Sequence, residues 1–241
     1  KKRMDIINLI PPVTKTFLVA ASLCSLGVTL ELITPLELYL NYDLVFSKME
    51  VWRLITNFLY IGPLSFPFFL HLYFFHVYSA NLEVGSFHRN RSGFIFMILL
   101  MASALLLISP LLGNSSFLSH ALTLAMLYVW ARRNPFEQIR LYGLFTISAA
   151  YLPYCLLVIN WFAGSVTLLE LCGILIGHTY YFLTDIMSHV YDVNIIQTPS
   201  LLKRIFDEEP VHHFQAEEPQ NIIDINEFDD DDYDHQYNVP G

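Results

Sequence analysis

Leu171-Cys172-Gly173-Ile174-Leu175-Ile176-Gly177-His178-Thr179-Tyr180-Tyr181-Phe182-Leu183 is the stretch on which the reading of this chain turns. Gly173 and Gly177 stand four apart in an apolar segment, with His178 next in line. On a helix, positions i and i+4 share a face, so two glycines form a flat strip that another backbone can approach closely. Small-xxx-small spacing by itself is common in membrane helices; the ionisable His178 beside it sharpens the signal. An imidazole inside a bilayer faces protein or water. The stretch is therefore expected to be the central helix of a bundle and a candidate remnant of an active site.

Composition agrees with a membrane setting. The 241 residues are 54% hydrophobic and 15% charged, with a mean hydropathy of +0.46, whereas ordinary soluble domains carry about 25% charged residues. The charge is segregated. From residue 201 onward there are twelve Asp and Glu against Lys203 and Arg204, a net of −10, and the first 200 residues carry ten acids and eleven bases. The overall −9 therefore describes a tail. Its run at 224–234 is expected to be solvated and disordered. Cys24, Cys155 and Cys172 sit in apolar runs without CxxC spacing and read as small buried hydrophobes. No metal, cofactor or nucleic acid is indicated. The chain opens on Lys1-Lys2-Arg3-Met4, which leaves a trimmed or processed start open, and no signal-peptide pattern follows.

A bilayer core of roughly 30 Å asks for about 20 apolar residues per helix. Working outward from the glycine stretch, six segments are predicted as spans: 16–34, 64–82, 94–112, 117–130, 141–162 (interrupted by Pro153) and 165–183. The fourth is short, and short helices thin a bilayer or sit inside protein. Eleven of the thirteen bases fall before the first span, in the second and fourth connections, or after the sixth; only Lys48 and Arg53 lie on the other side. The positive-inside rule then puts both termini in the cytosol. The expected organisation is a cytosolic amphipathic start (1–15), an all-α six-helix membrane domain (16–185) with a luminal loop at 35–56, and a cytosolic tail (186–241), acidic and disordered towards its end.

Several residues invite a functional reading beside a plainer one. Trp52-Arg53, in the luminal loop, reads as an interfacial anchor or as a guanidinium that caps carbonyls or binds lipid phosphate. His71 and His76 are five apart on the second span and point in different directions, which argues against a shared metal. Glu83 reads as a carboxylate beside Arg89 and Arg91. Polar groups on embedded helices (His71, His76, Asn81, Ser119 and His178) are candidates for lining a water-accessible cavity. Ser119 and His178 raise a nucleophilic dyad, but Phe117-Leu118-Ser119-His120 has no glycine beside the serine to help form an oxyanion hole.

The chain also resembles a known family. Leu32-Ile33-Thr34-Pro35 through Asp43-Leu44-Val45-Phe46, Val51-Trp52-Arg53-Leu54-Ile55-Thr56-Asn57-Phe58 and Leu82-Glu83-Val84-Gly85-Ser86-Phe87 closely resemble a Derlin. So do Tyr128-Val129-Trp130-Ala131-Arg132-Arg133-Asn134-Pro135, the block at 173–185, and Gln197-Thr198-Pro199. The ordered blocks cover about residues 11–202.

The resemblance implies a rhomboid-like fold in the endoplasmic reticulum membrane, without protease activity, serving the return of misfolded proteins to the cytosol for degradation. It equates Trp52-Arg53 with the first-loop Trp-Arg motif and Gly173/Gly177 with the sixth-helix Gly-xxx-Gly, both tied in that family to fold integrity and retrotranslocation. Ser119 falls where rhomboid proteases carry their nucleophile, without the flanking glycines. The rhomboid His-xxx-Asn oxyanion pair lands on Pro67 and His71. The partners implied are misfolded substrates, a Hrd-type ubiquitin ligase complex, an AAA segregase of the valosin-containing protein type (direct or indirect), membrane lipids, and further copies or other subunits in an oligomer. No Gly-rich hydrophobic segregase motif follows residue 201. Three alternatives stay open: a Derlin of a plastid-surrounding membrane acting in import, a scaffold without a conduit, and an intramembrane serine protease using Ser119 and His178.

Overall fold

The computed structural model describes residues 10–112, 117–141, 145–162, 167–193 and 196–207. They belong to a compact unit, Lys1–Asp207; Glu208–Gly241 form a second unit outside the described residues, as do the acidic run at 224–234 and most of the amphipathic start. The described part is mostly helical. In chain order come α1 (Pro12–Thr29), α2 (Pro35–Leu38), α3 (Tyr42–Ser47), α4 (Arg53–Leu59) and α5 (Phe66–Asn81), which continues as a π-helical turn, Leu82–Ser86. Then follow α6 (Arg91–Ile108), with a 3-10 turn at Ser109–Leu112, and α7 (Ser119–Arg133). A hairpin of β1 (Gln138–Leu141) and β2 (Phe145–Ser148) precedes α8 (Leu152–Phe162) and α9 (Leu168–Tyr181). The last is extended by a π turn, Phe182–Ile186, into α10 (Met187–Tyr191), and α11 (Ser200–Phe206) ends the unit.

Local chemistry sets several of these starts. Pro12 opens α1, where its missing N–H costs no hydrogen bond. The amides exposed behind it are taken up from far along the chain. The Glu83 carboxylate accepts from the Val13 N–H (2.9 Å), the Thr14 N–H (2.8 Å) and the Thr14 hydroxyl (2.7 Å). A carboxylate at a helix N-terminus also opposes the positive end of the dipole. Glu83, read from the sequence as a carboxylate beside Arg89 and Arg91, is a cap for α1. Asn41 caps α3 through the Leu44 N–H (3.2 Å), and Asn90 caps α6 through the Gly93 N–H (2.9 Å). A Cβ on Gly93 would lie 2.6 Å from the Asn90 side chain, which would have to shift to admit it. Asp207, just past α11, accepts from the Ser92 N–H (2.9 Å) and hydroxyl (2.7 Å) and docks that helix on the same end of α6.

Three sequence expectations change. The helix predicted over 141–162 starts later. Residues 138–148 pair antiparallel, from Gln138 opposite Ser148 to Leu141 opposite Phe145, so the chain is not all-α. Ile139, Thr146 and Ile147 favour the pleated state, and Pro153 sits in the first turn of α8, marking its start instead of interrupting it. The segment at 35–56, expected as a loop, folds into short helices. Finally, the central helix is α7, not the glycine-bearing α9. From Leu124 to Ala131 every residue of α7 is buried, whereas α9 turns Leu171, Leu175, His178 and Thr179 outward. By length and composition alone, Pro12–Thr29 and Arg91–Leu112 are long and apolar enough to cross a membrane.

A polar cavity between the helices and its candidate functional residues

The glycine strip decides how closely α9 meets α7. A Cβ built on Gly173 would lie 2.3 Å from the Ala121 carbonyl oxygen, and one on Gly177 would lie 2.5 Å from that of Ala125. Contacts that short are impossible, so only glycine permits this approach. The facing residues are themselves small. Paired small residues are how helices associate where lipid offers no hydrophobic contrast.

Beside this seam, α5, α7, α8 and α9 enclose a cavity of about 710 Å³. Its walls are largely apolar, with Phe66, Leu70, Phe74, Leu124, Leu156 and Ile159 among them. Its polar groups come from four helices or their ends: His71, His120, Thr123, Asn160, Thr167 and Glu170. The Thr123 hydroxyl donates to the Ser119 carbonyl (2.9 Å), which commits its one proton. His71 Nε2, 3.0 Å from Thr123 Oγ1, must then be the donor to that hydroxyl, leaving Nδ1 an acceptor in the neutral ring. The His71 and His120 rings lie 4.5 Å apart. Glu170 is hydrogen-bonded by the Asn160 side chain, and its Oε2 has no partner among the described residues.

Trp52 and Arg53 have opposite environments. Trp52, at the start of α4, is 53% exposed, and Arg53 is buried. The guanidinium donates to Glu50 Oε2 (2.6 Å) and to the carbonyls of Leu36 (2.7 Å) and Tyr39 (3.0 Å), and stands over the Tyr39 ring. One cation thus ties α2, the turn after it and the approach to α4 into a single body. Between a lipid ligand and a carbonyl cap, Arg53 is placed as the cap.

Ser119 and His178 are not brought together. The Ser119 hydroxyl donates to the Tyr60 carbonyl (3.0 Å), and His120 Nδ1 lies 3.5 Å from it. His178 is exposed and pairs through Nδ1 with the Tyr128 hydroxyl (2.8 Å), which also accepts from Arg132 Nε (2.9 Å). Tyr128 is nine residues along α7 from Ser119, roughly 13 Å at 1.5 Å per residue. The dyad fails because α7 and α9 run parallel in matched register, Gly173 at Ala121 and Gly177 at Ala125, which carries His178 well past Ser119.

Known proteins share much of this sequence. The model of the Der1-like family covers residues 10–200. A maize protein named Derlin-2.2 is 39% identical over 211 residues, spanning 83% of this chain and 85% of its own length. Derlin-2 of rice shows the same values, and Derlin-2.2 of Arabidopsis thaliana is 38% identical over 211 residues, 83% and 86% of the two chains. The chain belongs to the Der1-like family. In this Der1-like chain, the cavity receives one member of the set expected to line it, His71. Asn81 is exposed at the end of α5, and His178 faces outward. His76 is half-buried, with Nδ1 lacking a partner among the described residues. Ser119 is buried beside His120, its hydroxyl turned to Tyr60. His120, Thr123, Asn160 and Glu170 were missed. For Glu170 a signal existed: it stands three residues before Gly173 and seven before Gly177, on the face of α9 that packs inward.

Proposed function

We propose that this Der1-like chain is a non-enzymatic, multi-pass component of endoplasmic-reticulum-associated degradation, helping misfolded polypeptides leave the membrane for the cytosol. The cavity is the observation that carries the reading. Placing the Lys/Arg-rich connections in the cytosol makes α1, α5, α6, α7, α8 and α9 the spans. It puts the Phe66, Ser119, Phe162 and Leu168 ends on the luminal side, so the cavity sits in the luminal half. Its walls on α5 and α8 make no extensive contact with each other, which leaves a side on which a polypeptide segment can enter from the bilayer.

Helix length supplies the second ingredient. At 1.5 Å per residue, the 11 residues of α8, where Val158, Trp161 and Phe162 are exposed, measure roughly 16 Å, against a hydrocarbon core of about 30 Å. Such mismatch thins the bilayer. The cost of carrying a polar group through hydrocarbon rises with the depth crossed, so a thinned zone beside a polar half-cavity eases passage of an unfolded chain. The committed Ser119 proton and the remote His178 support a pseudoprotease. The carbonyl-capping Arg53 and the glycine seam hold the frame. A Hrd-type ligase complex and an AAA segregase, reached directly or through another protein, would supply ubiquitin and pulling force.

The test is turnover of a misfolded luminal reporter in cells lacking their own Derlin, with wild type, Ser119→Ala or Trp52→Ala reintroduced. Wild type and Ser119→Ala are expected to restore degradation, and Trp52→Ala to fall short at equal abundance. Loss with Ser119→Ala at normal level, together with a cleaved product, would return the chain to the proteases. No rescue by wild type would move it to another membrane, with plastid import the next assay.

A further inference from the structure

We infer that the cavity recognises a basic side chain, lysine or arginine, on a membrane-inserted polypeptide segment, with Glu170 as the residue that selects it. The inference deepens the reading above and rests on it for the identity of the occupant as a polypeptide. Three observations carry it. Glu170 is 4% exposed and lines the cavity, and its Oε2 lacks a partner among the described residues. A buried carboxylate gains most from a charged donor. Among the described residues no Lys or Arg lines the cavity, so none of them provides that donor at the site. Acceptors are nevertheless gathered there: His71 keeps Nδ1 as an acceptor once Nε2 donates to Thr123.

Shape points the same way. The apolar wall of Phe66, Leu70, Phe74, Leu156 and Ile159 suits a long methylene stem, and Glu170 with Asn160 meets the polar head at its end. A basic residue stranded in a membrane segment carries this same division, and hydrocarbon penalises its head group. The cavity exchanges that penalty for an ion pair. Neither an acidic nor a purely apolar segment would gain this contact.

The experiment uses the full-length chain in phosphatidylcholine nanodiscs, with benzoylphenylalanine in place of Leu156 as crosslinker. The probes are leucine-rich 20-residue peptides bearing one Arg, Leu or Glu in the luminal half. The Arg peptide is expected to crosslink roughly tenfold more than the Leu peptide, the ratio expected of one charge-assisted hydrogen bond. Glu170→Gln should bring that ratio to about one, and Glu170→Lys should transfer the preference to the Glu peptide, a reversal that a misfolded variant would not give. Equal crosslinking of all three peptides by the unsubstituted chain overturns the inference, as does an Arg preference that survives Glu170→Gln. If phosphatidylethanolamine in the nanodisc abolishes the preference, a lipid amine is the occupant and the polypeptide assignment fails. Because crosslinking needs no degradation machinery, a chain that selects Arg but rescues no reporter would sink the degradation reading alone.

Discussion

Helices α6 and α7 are consecutive in sequence and opposite in surroundings. α6 is the more apolar, yet it buries one stripe: Ser92, Gly93, Phe94, Met97, Met101 and Leu105, spaced one face of a helix apart, while Leu99 and Leu107 point outward, Leu107 at 77% exposure. α7 contains Ser119, His120, Thr123, Arg132 and Arg133, and is buried around nearly its whole circumference. In water the buried helix would be the apolar one. Where the solvent is lipid, apolarity marks the face that touches solvent. Polar groups collect on the helix that neighbours shield, since there they can find partners.

That contrast can be broken or sharpened by substitution. The largest effect is expected at the seam that keeps α7 enclosed. Gly177→Leu would drive side-chain atoms into the Ala125 carbonyl, where even a Cβ stands at 2.5 Å. Backbone cannot yield as a side chain does, so the cost should reach about 3 kcal/mol or more. Steady-state level and protease resistance in membranes should both collapse; wild-type values would show that α9 is not needed to cover α7. Next comes a difference within α6. Met101→Ala, on the buried stripe, should destabilise by about 2–5 kcal/mol, and Leu107→Ala, facing out, by only about 0.5 kcal/mol. Equal shifts in thermal unfolding in detergent would erase the distinction between the two faces. Smallest is Thr123→Val on α7, which keeps the shape and removes the acceptor of His71. A loss of roughly 0.6–1 kcal/mol is expected, and a loss as large as that of Met101→Ala would mean that polar contacts, not packing, hold the buried helix.

Much of the frame was legible in the chain. Hydropathy located α1, α5, α6, α7 and α9 to within a few residues, since runs of Leu, Phe and Ile have few other uses. The glycine pair announced a close backbone approach, because spacing of four on a helix has one geometric meaning. What could not be read was which helix stood at the centre: His178 suggested α9, and hydropathy, which reports lipid contact, ranks α7 low for the very reason that it is enclosed. The hairpin escaped because Leu141, Phe145 and Ile147 are as apolar as a span, and Pro153 read as a break and not a start. The cavity residues escaped for another cause. Thr123, Asn160 and Glu170 come from three helices, and no one-dimensional spacing joins them. Glu170 shared a face with the glycine pair already singled out, and Thr123 with Ser119.

The clamp of Glu83 on Val13 and Thr14 gives the fold a clock. Its hydrogen bonds link residues 69 and 70 positions apart, and ribosomes add about 5–20 residues per second. The first helix must therefore wait roughly 4–14 seconds for the carboxylate that closes its leading end. During that interval its open amides are free for any passing acceptor, a chaperone's included, and release comes only when α5 has been made. Slowing translation between α1 and Glu83 lengthens that exposure without altering a single contact in the finished protein.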